Sequence, residues 1–90
     1  MEMASTLKIL ASEVTLSTTA NNVGRAKLVR VLNTDTTARL VTIKSGGTTL
    51  GTVTLAPSEV QNIMKLSDET LQVAGAASTK VKAVSIAYSN

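Results

Sequence analysis

The sequence predicts an all-β fold, an antiparallel β-sandwich or jelly-roll-like small barrel of about seven strands, and three observations carry that expectation. Short apolar runs recur along the whole chain, separated by turn-forming clusters such as Asn33-Thr34-Asp35-Thr36-Thr37 and Ser45-Gly46-Gly47. No long amphipathic helical pattern interrupts them. Ser and Thr make up about a quarter of the 90 residues, and β-branched Thr suits the half-exposed face of a strand.

Residues 1–6 carry little pattern and read as a loose N-terminal arm, leaving residues 7–90 as a single β domain. Leu7 to Leu16 is the first strand region, with a break expected near Ser12. A polar loop follows over Ser17 to Gly24, where Asn21, Asn22 and Gly24 tolerate left-handed backbone. In the strand from Ala26 to Leu32, Leu28, Val29, Val31 and Leu32 are too closely spaced for one face alone to be apolar, which marks a central strand. The turn at 33–37 is expected to fold this strand back onto Arg39 to Lys44 as a hairpin. Gly46 and Gly47 then accept positive φ at a second turn, adding Thr49 to Leu55 in meander order.

Ala56 to Glu59 is the ambiguous stretch. Pro57 suits the second position of a type I turn, whereas Ser58 and Gln61 fit a capping box and Val60, Ile63 and Met64 match helical spacing. A turn and a strand over Val60 to Leu66 are preferred, because a helix there would last barely three turns before Ser67-Asp68-Glu69. Leu71 to Ala74 is a short strand, Gly75 to Thr79 a small-residue loop, and Lys80 to Ser89 the closing strand. On it Val84, Ile86 and Tyr88 share one face, expected to be the core face with Tyr88 as its anchor, and Ala83, Ser85 and Ala87 share the other.

Composition bounds the function. With Cys 0 and His 0, disulfides, thiolate metal sites and imidazole chemistry are excluded. The core must be aliphatic, since Tyr88 is the sole aromatic, and a thin aliphatic core in so small a domain points to oligomerisation as its reinforcement. No catalytic, cofactor-binding or metal-binding residue is named, and no cofactor is expected. Asp68 and Glu69 are neighbours that point apart on an extended chain, Asp35 with Asn33 reads as a turn, and Gly46-Gly47 lacks the Lys and the following helix of a phosphate cradle. Arg25 and Lys27, with Lys80 and Lys82, are each spaced at two and would share a strand face. Without aromatic platforms they offer nucleic acid only a salt-sensitive attraction, so nucleic acid is not an expected partner. The net charge is +3, and neither a membrane span nor a signal peptide is read.

The stretch from Leu28 to Thr34, with Thr36 to Thr42, resembles small virion structural proteins of tailed bacteriophages, notably those infecting cyanobacteria. Gly51 to Pro57 with Glu59 and Val60 resembles that family's polar turn between strands, Lys65 with Asp68, Thr70 and Leu71 its lysine and acidic turn, and Val81 to Ala83 through Ala87-Tyr88 its closing strand. The resemblance spans roughly residues 25 to 89 and implies a virion component made in the host cytoplasm. The leading expectation is a capsid decoration or cement protein that forms a homo-oligomer, a trimer first among them, and docks on the major capsid protein or other virion proteins. A head-fibre, neck or tail accessory protein that binds the host surface or a glycan is the alternative, and a nucleic-acid-binding virion protein a lesser one. The oligomer interface has no residues assigned to it from sequence.

Overall fold

The computed structural model describes residues 6–89. Eight antiparallel strands form two layers: β1 (Thr6–Ile9), β2 (Val14–Thr15), β3 (Leu28–Asn33), β4 (Arg39–Ser45), β5 (Thr48–Leu55), β6 (Val60–Met64), β7 (Thr70–Val73) and β8 (Val81–Ser89). The five-stranded layer runs β1-β8-β3-β6, with β2 continuing along β8 beyond β1. The three-stranded layer runs β5-β4-β7. Ser17 and Asn21 extend this second layer, because Asn21 and Leu71 exchange both backbone hydrogen bonds and the Val73 amide donates to the Ser17 carbonyl.

The pairing is nested about one point. β4 folds onto β5, β3 onto β6, the Ser17–Asn21 segment onto β7, and β1 with β2 onto β8. This is the double-layered winding of a jelly roll, and the pairs β3·β8 and β4·β7 knit each layer together. Its centre is the β4–β5 hairpin, where Gly46 (φ 56°) and Gly47 (φ 89°) make a two-residue turn of the type that matches strand twist. The break in the first strand falls where expected, between β1 and β2.

Only part of the expected order survives. β3 and β4 do not form a hairpin and the three strands are not a meander. The turn after β3 crosses to the other layer instead, and Asn33 bridges the crossing. Its side chain is fully buried, with Nδ2 donating to the carbonyls of Thr37 (3.0 Å), Leu55 (3.0 Å) and Ala56 (3.3 Å) and Oδ1 accepting from the Asp35 amide (2.9 Å). Those bonds tie the end of β3 to the end of β5 across the sandwich. Meanwhile both ladder edges of β3 are taken by β6 and β8, which makes it central as predicted.

Several local expectations are also corrected. Pro57 opens a type II turn, not type I, since Ser58 has φ 65° and the Glu59 amide donates to the Ala56 carbonyl. The Glu59 carboxylate reaches back to the Ala56 amide (2.7 Å) and fixes this turn, so a strand and not a helix follows, over Val60–Met64, two residues short of the expected Leu66, and no capping box forms. In the loop before β3 the left-handed residues are Val23, Gly24 and Arg25, while the Asn21 and Asn22 side chains accept from the Val23 and Arg25 amides. The loop after β7 contains a 3-10 turn at Gly75–Ala77. The expected arm lies outside the described residues except for Thr6, which already pairs with Ser89 in β1.

The core between the layers is aliphatic throughout: Leu16, Val29, Val31, Val41, Leu55, Leu71, Val73, Val81 and Ala83, closed at one end by Val23 and Ala26. Val23 is a β-branched residue at φ 53°, and its burial is what holds it in that costly conformation. Tyr88 does not anchor the core. It is 49% exposed on the outer side of the sheet, because Val81 and Ala83, of opposite parity, face inward.

Candidate functional site

The two outer faces of the sandwich differ in chemistry. On the three-stranded layer, the residues of opposite parity to the core are Thr42 and Lys44 of β4, Thr52 and Thr54 of β5, and Thr70 and Gln72 of β7, with Leu40 and, at the β5 bulge, Leu50 as exposed apolar members. This is the ordinary solvent face of an antiparallel sheet. On the five-stranded layer the same parity places Leu7 and Ile9 (β1), Leu28 and Leu32 (β3), Val60 and Met64 (β6), and Val84, Ile86 and Tyr88 (β8) on the outside. Arg30, Asn62, Lys82 and, on β2, Thr15 are the polar groups among them.

The register makes these residues one surface. Ile9 stands opposite Ile86, Leu7 opposite Tyr88, Arg30 between Val84 and Asn62, and Leu28 opposite Met64. Val84 and Ile86 are already buried at its centre by their neighbours, whereas Ile9 at 67% and Met64 at 81% stand open to solvent. Polar contacts fix the remaining positions: Asn62 donates its amide to the Tyr88 hydroxyl, and the Lys82 ammonium donates to the Thr15 hydroxyl (2.8 Å). This sheet thus carries apolar residues on both sides, with Val84 and Ile86 covered and the open ones, Ile9 and Met64, on its edge strands with Arg30 and Asn62 between them.

Two further depressions adjoin the core. One, about 250 Å³, opens between the free edges of β5 and β6 and is lined by Val41, Ile43, Val53, Ile63 and Leu71, with Gly51 at its lip. The other lies at the end of β6 around Lys65, whose side chain is only 4% exposed and whose ammonium donates to the Leu66 carbonyl (3.3 Å). Burial pulls the Lys65 pKa below its ordinary value, opposed by the nearby carboxylates of Glu69 and Asp68. Glu69 itself accepts from the Leu66 amide (2.8 Å), so this acidic turn is a structural stop after β6.

The paired cations do not share a strand face. Arg25 sits in the left-handed turn, Lys27 precedes β3, and Lys80 bonds Thr34 beyond its far end. Six strand residues, roughly 20 Å, separate the two pairs. Asp35 is engaged by Arg39 (2.7 Å), which holds its carboxyl below the usual range, and no cluster of metal-ligating side chains occurs among the described residues. No described helix is long and apolar enough to cross a membrane.

The sequence assigned no residue to this surface. The signal was nevertheless present in the two-sided apolar pattern of β3 and in Val84 and Ile86 of β8; what was missing was the inward turn of the small residues Ala83 and Ser85. Comparison with family models, with curated proteins and with solved structures finds no match to this chain. The fold and the surface thus define its class on their own: a small jelly-roll-like sandwich with one largely polar outer face and one outer face rich in apolar residues.

Proposed function

We propose that this protein is a non-enzymatic structural component of a phage virion, a capsid decoration or cement protein that oligomerises and docks on the capsid shell. The observation that carries the reading is the apolar outer face of the five-stranded layer, from Ile9 through Val84 to Met64. Burying it against protein removes exposed apolar side chains such as Ile9 and Met64 from water, and adds cover to a core with no aromatic residue. The jelly-roll winding agrees with it, being a recurrent architecture of viral capsid modules as well as of lectins. The resemblance of residues 25 to 89 to small virion proteins supports the same assignment.

The test is solution mass by light scattering across a concentration series, alone and after mixing with assembled capsid shells, followed by sedimentation. A defined oligomer that co-sediments with shells is expected. Protein that stays monomeric at high concentration and remains in the supernatant would refute the proposal. One observation favours the second reading, a head-fibre, neck or tail accessory protein that binds glycans: Tyr88, the sole aromatic, is exposed with its ring on the outer face beside Asn62. Binding to a glycan array that is lost in Tyr88→Ala, without binding to shells, would select it.

A further inference from the structure

We infer that the groove beside the broken first strand seats a second copy of this chain across a twofold axis, with Glu13 of each copy meeting Arg30 of the other. This rests on the assembly reading above and adds the face, the symmetry and the pairing. Leu7, Ile9, Ala11, Glu13, Arg30 and Val84 line a groove of about 510 Å³ on the outer side of the five-stranded layer. It exists because the first strand leaves β8 at Leu10 and rejoins it at Val14, so the connecting residues rise around a floor supplied by β3 and β8.

Opposite charges face this one depression and do not use each other. Among the described residues neither Glu13 nor Arg30 has a side-chain hydrogen bond or ion pair, whereas Asp35 and Arg39 elsewhere are joined at 2.7 Å. A groove of a single sign would select a partner of the other sign. A groove that bears both signs is matched by a surface bearing both in reverse order, and a twofold rotation of the groove itself supplies that surface. The rotation also lays Leu7 and Ile9 of one copy over the apolar face of the other, so each ion pair is flanked by apolar contacts.

The size of the face sets the strength. Four strands at about 4.8 Å and five residues at about 3.3 Å frame a footprint of roughly 19 by 17 Å. That falls below the ~800 Å² per partner of a standard interface. The contact is therefore a concentration-dependent one, and its unit is a dimer; a trimer would have to use a different surface.

Light scattering over a concentration series on the full chain, with Glu13→Arg, Arg30→Glu and the double reversal, tests the pairing. Both positions lie on the outer surface, and circular dichroism checks that each variant is folded. The expected result is a dimer for the unaltered protein, a dissociation constant raised about tenfold or more by each single reversal, and return to within about threefold in the double variant. A trimer, or a dimer unmoved by the single reversals, or a double variant no better than either single one, would overturn the inference. If the unaltered protein still associates or sediments with shells in those cases, the assembly reading stands while the pairing falls. A monomer that ignores shells removes both.

Discussion

Asn33 is the residue on which the two-layer winding most depends, and its removal has a cost that the structure allows to be worked out. In Asn33→Ala the buried Leu55 carbonyl loses its side-chain donor, which costs about 1–3 kcal/mol. The Thr37 and Ala56 carbonyls and the Asp35 amide are only partly buried and can turn to water, so each adds about 0.5 kcal/mol. The sum is roughly 2.5–4.5 kcal/mol, against a total stability of roughly 5–13 kcal/mol for a chain of 90 residues. Asn33→Asp separates this account from simple loss of packing. It turns a carboxylate oxygen toward carbonyl oxygens, so the folded state holds its proton and the folded pKa rises above the ordinary ~3.9. Stability of this variant therefore falls, relative to the unaltered protein, as pH rises from about 4 through the raised value. Urea denaturation followed by circular dichroism between pH 3 and pH 8 measures both effects. A loss under ~1 kcal/mol in Asn33→Ala, or no additional loss with rising pH in Asn33→Asp, would refute the idea that this amide sets the crossing.

Other expectations follow from single sites. Gly47→Val forces a β-branched residue to φ 89° and should lower stability by ~1–2 kcal/mol in denaturant titration, while Gly46→Asn, which a turn of this type accepts, should cost less than ~0.5 kcal/mol. Gly51→Val should stabilise by about 1 kcal/mol, because a Cβ there meets no atom within 4 Å, the backbone is ordinary strand, and the cleft between β5 and β6 receives the methyl groups; a lower denaturation midpoint would contradict this. Lys65→Met removes a buried cation with one hydrogen bond and should be neutral or mildly stabilising, whereas a loss above ~2 kcal/mol would mean that the ammonium holds the following turn. The carboxyls of Asp35, held down by Arg39, and of Glu59, held down by the Ala56 amide, have folded pKa values below 3.8 and 4.5; their contribution is complete above those values and is lost as pH falls through the folded ones. Asp35→Asn with Glu59→Gln should flatten that acid limb, and an unchanged acid slope would contradict the assignment.

What could be read in advance divides along a physical line. Strand positions depend on local apolar runs and turn chemistry, so the break near Ser12, the Gly46-Gly47 hairpin and the strand over 60–64 were all legible. Pairing depends on distant partners. Nothing in the spacing of Leu28 to Leu32 and Arg39 to Lys44 distinguishes a hairpin from a crossing, because the deciding bonds run from Asn33 to Leu55 and Ala56. The closing strand divides in the same way. Alternation puts Val84, Ile86 and Tyr88 on one face, and Val84 and Ile86 are buried there, but that face is the outer one and Tyr88 is exposed on it, while Val81 and Ala83 join the core between the layers. Which face of a strand meets the other layer is again decided by distant partners.

If the outer face takes a partner, stability and assembly are linked. The five-stranded layer leaves Ile9 and Met64 exposed on its outer side, so a free domain forgoes the burial of those side chains. The loss is recoverable only when the outer face is covered. A partner that binds the folded face adds RT ln(1 + [L]/Kd) to the apparent stability, so the denaturation midpoint should rise with protein concentration if the face pairs with itself. Ile9→Lys tests the link at one position: Ile9 is 67% exposed, so its replacement leaves the monomer about as stable as before. If the outer face is the cover, this variant loses the concentration dependence while keeping its low-concentration midpoint. A midpoint that still rises with concentration would assign the association to another surface, and the open edges of β5 and β6 would be the next to examine.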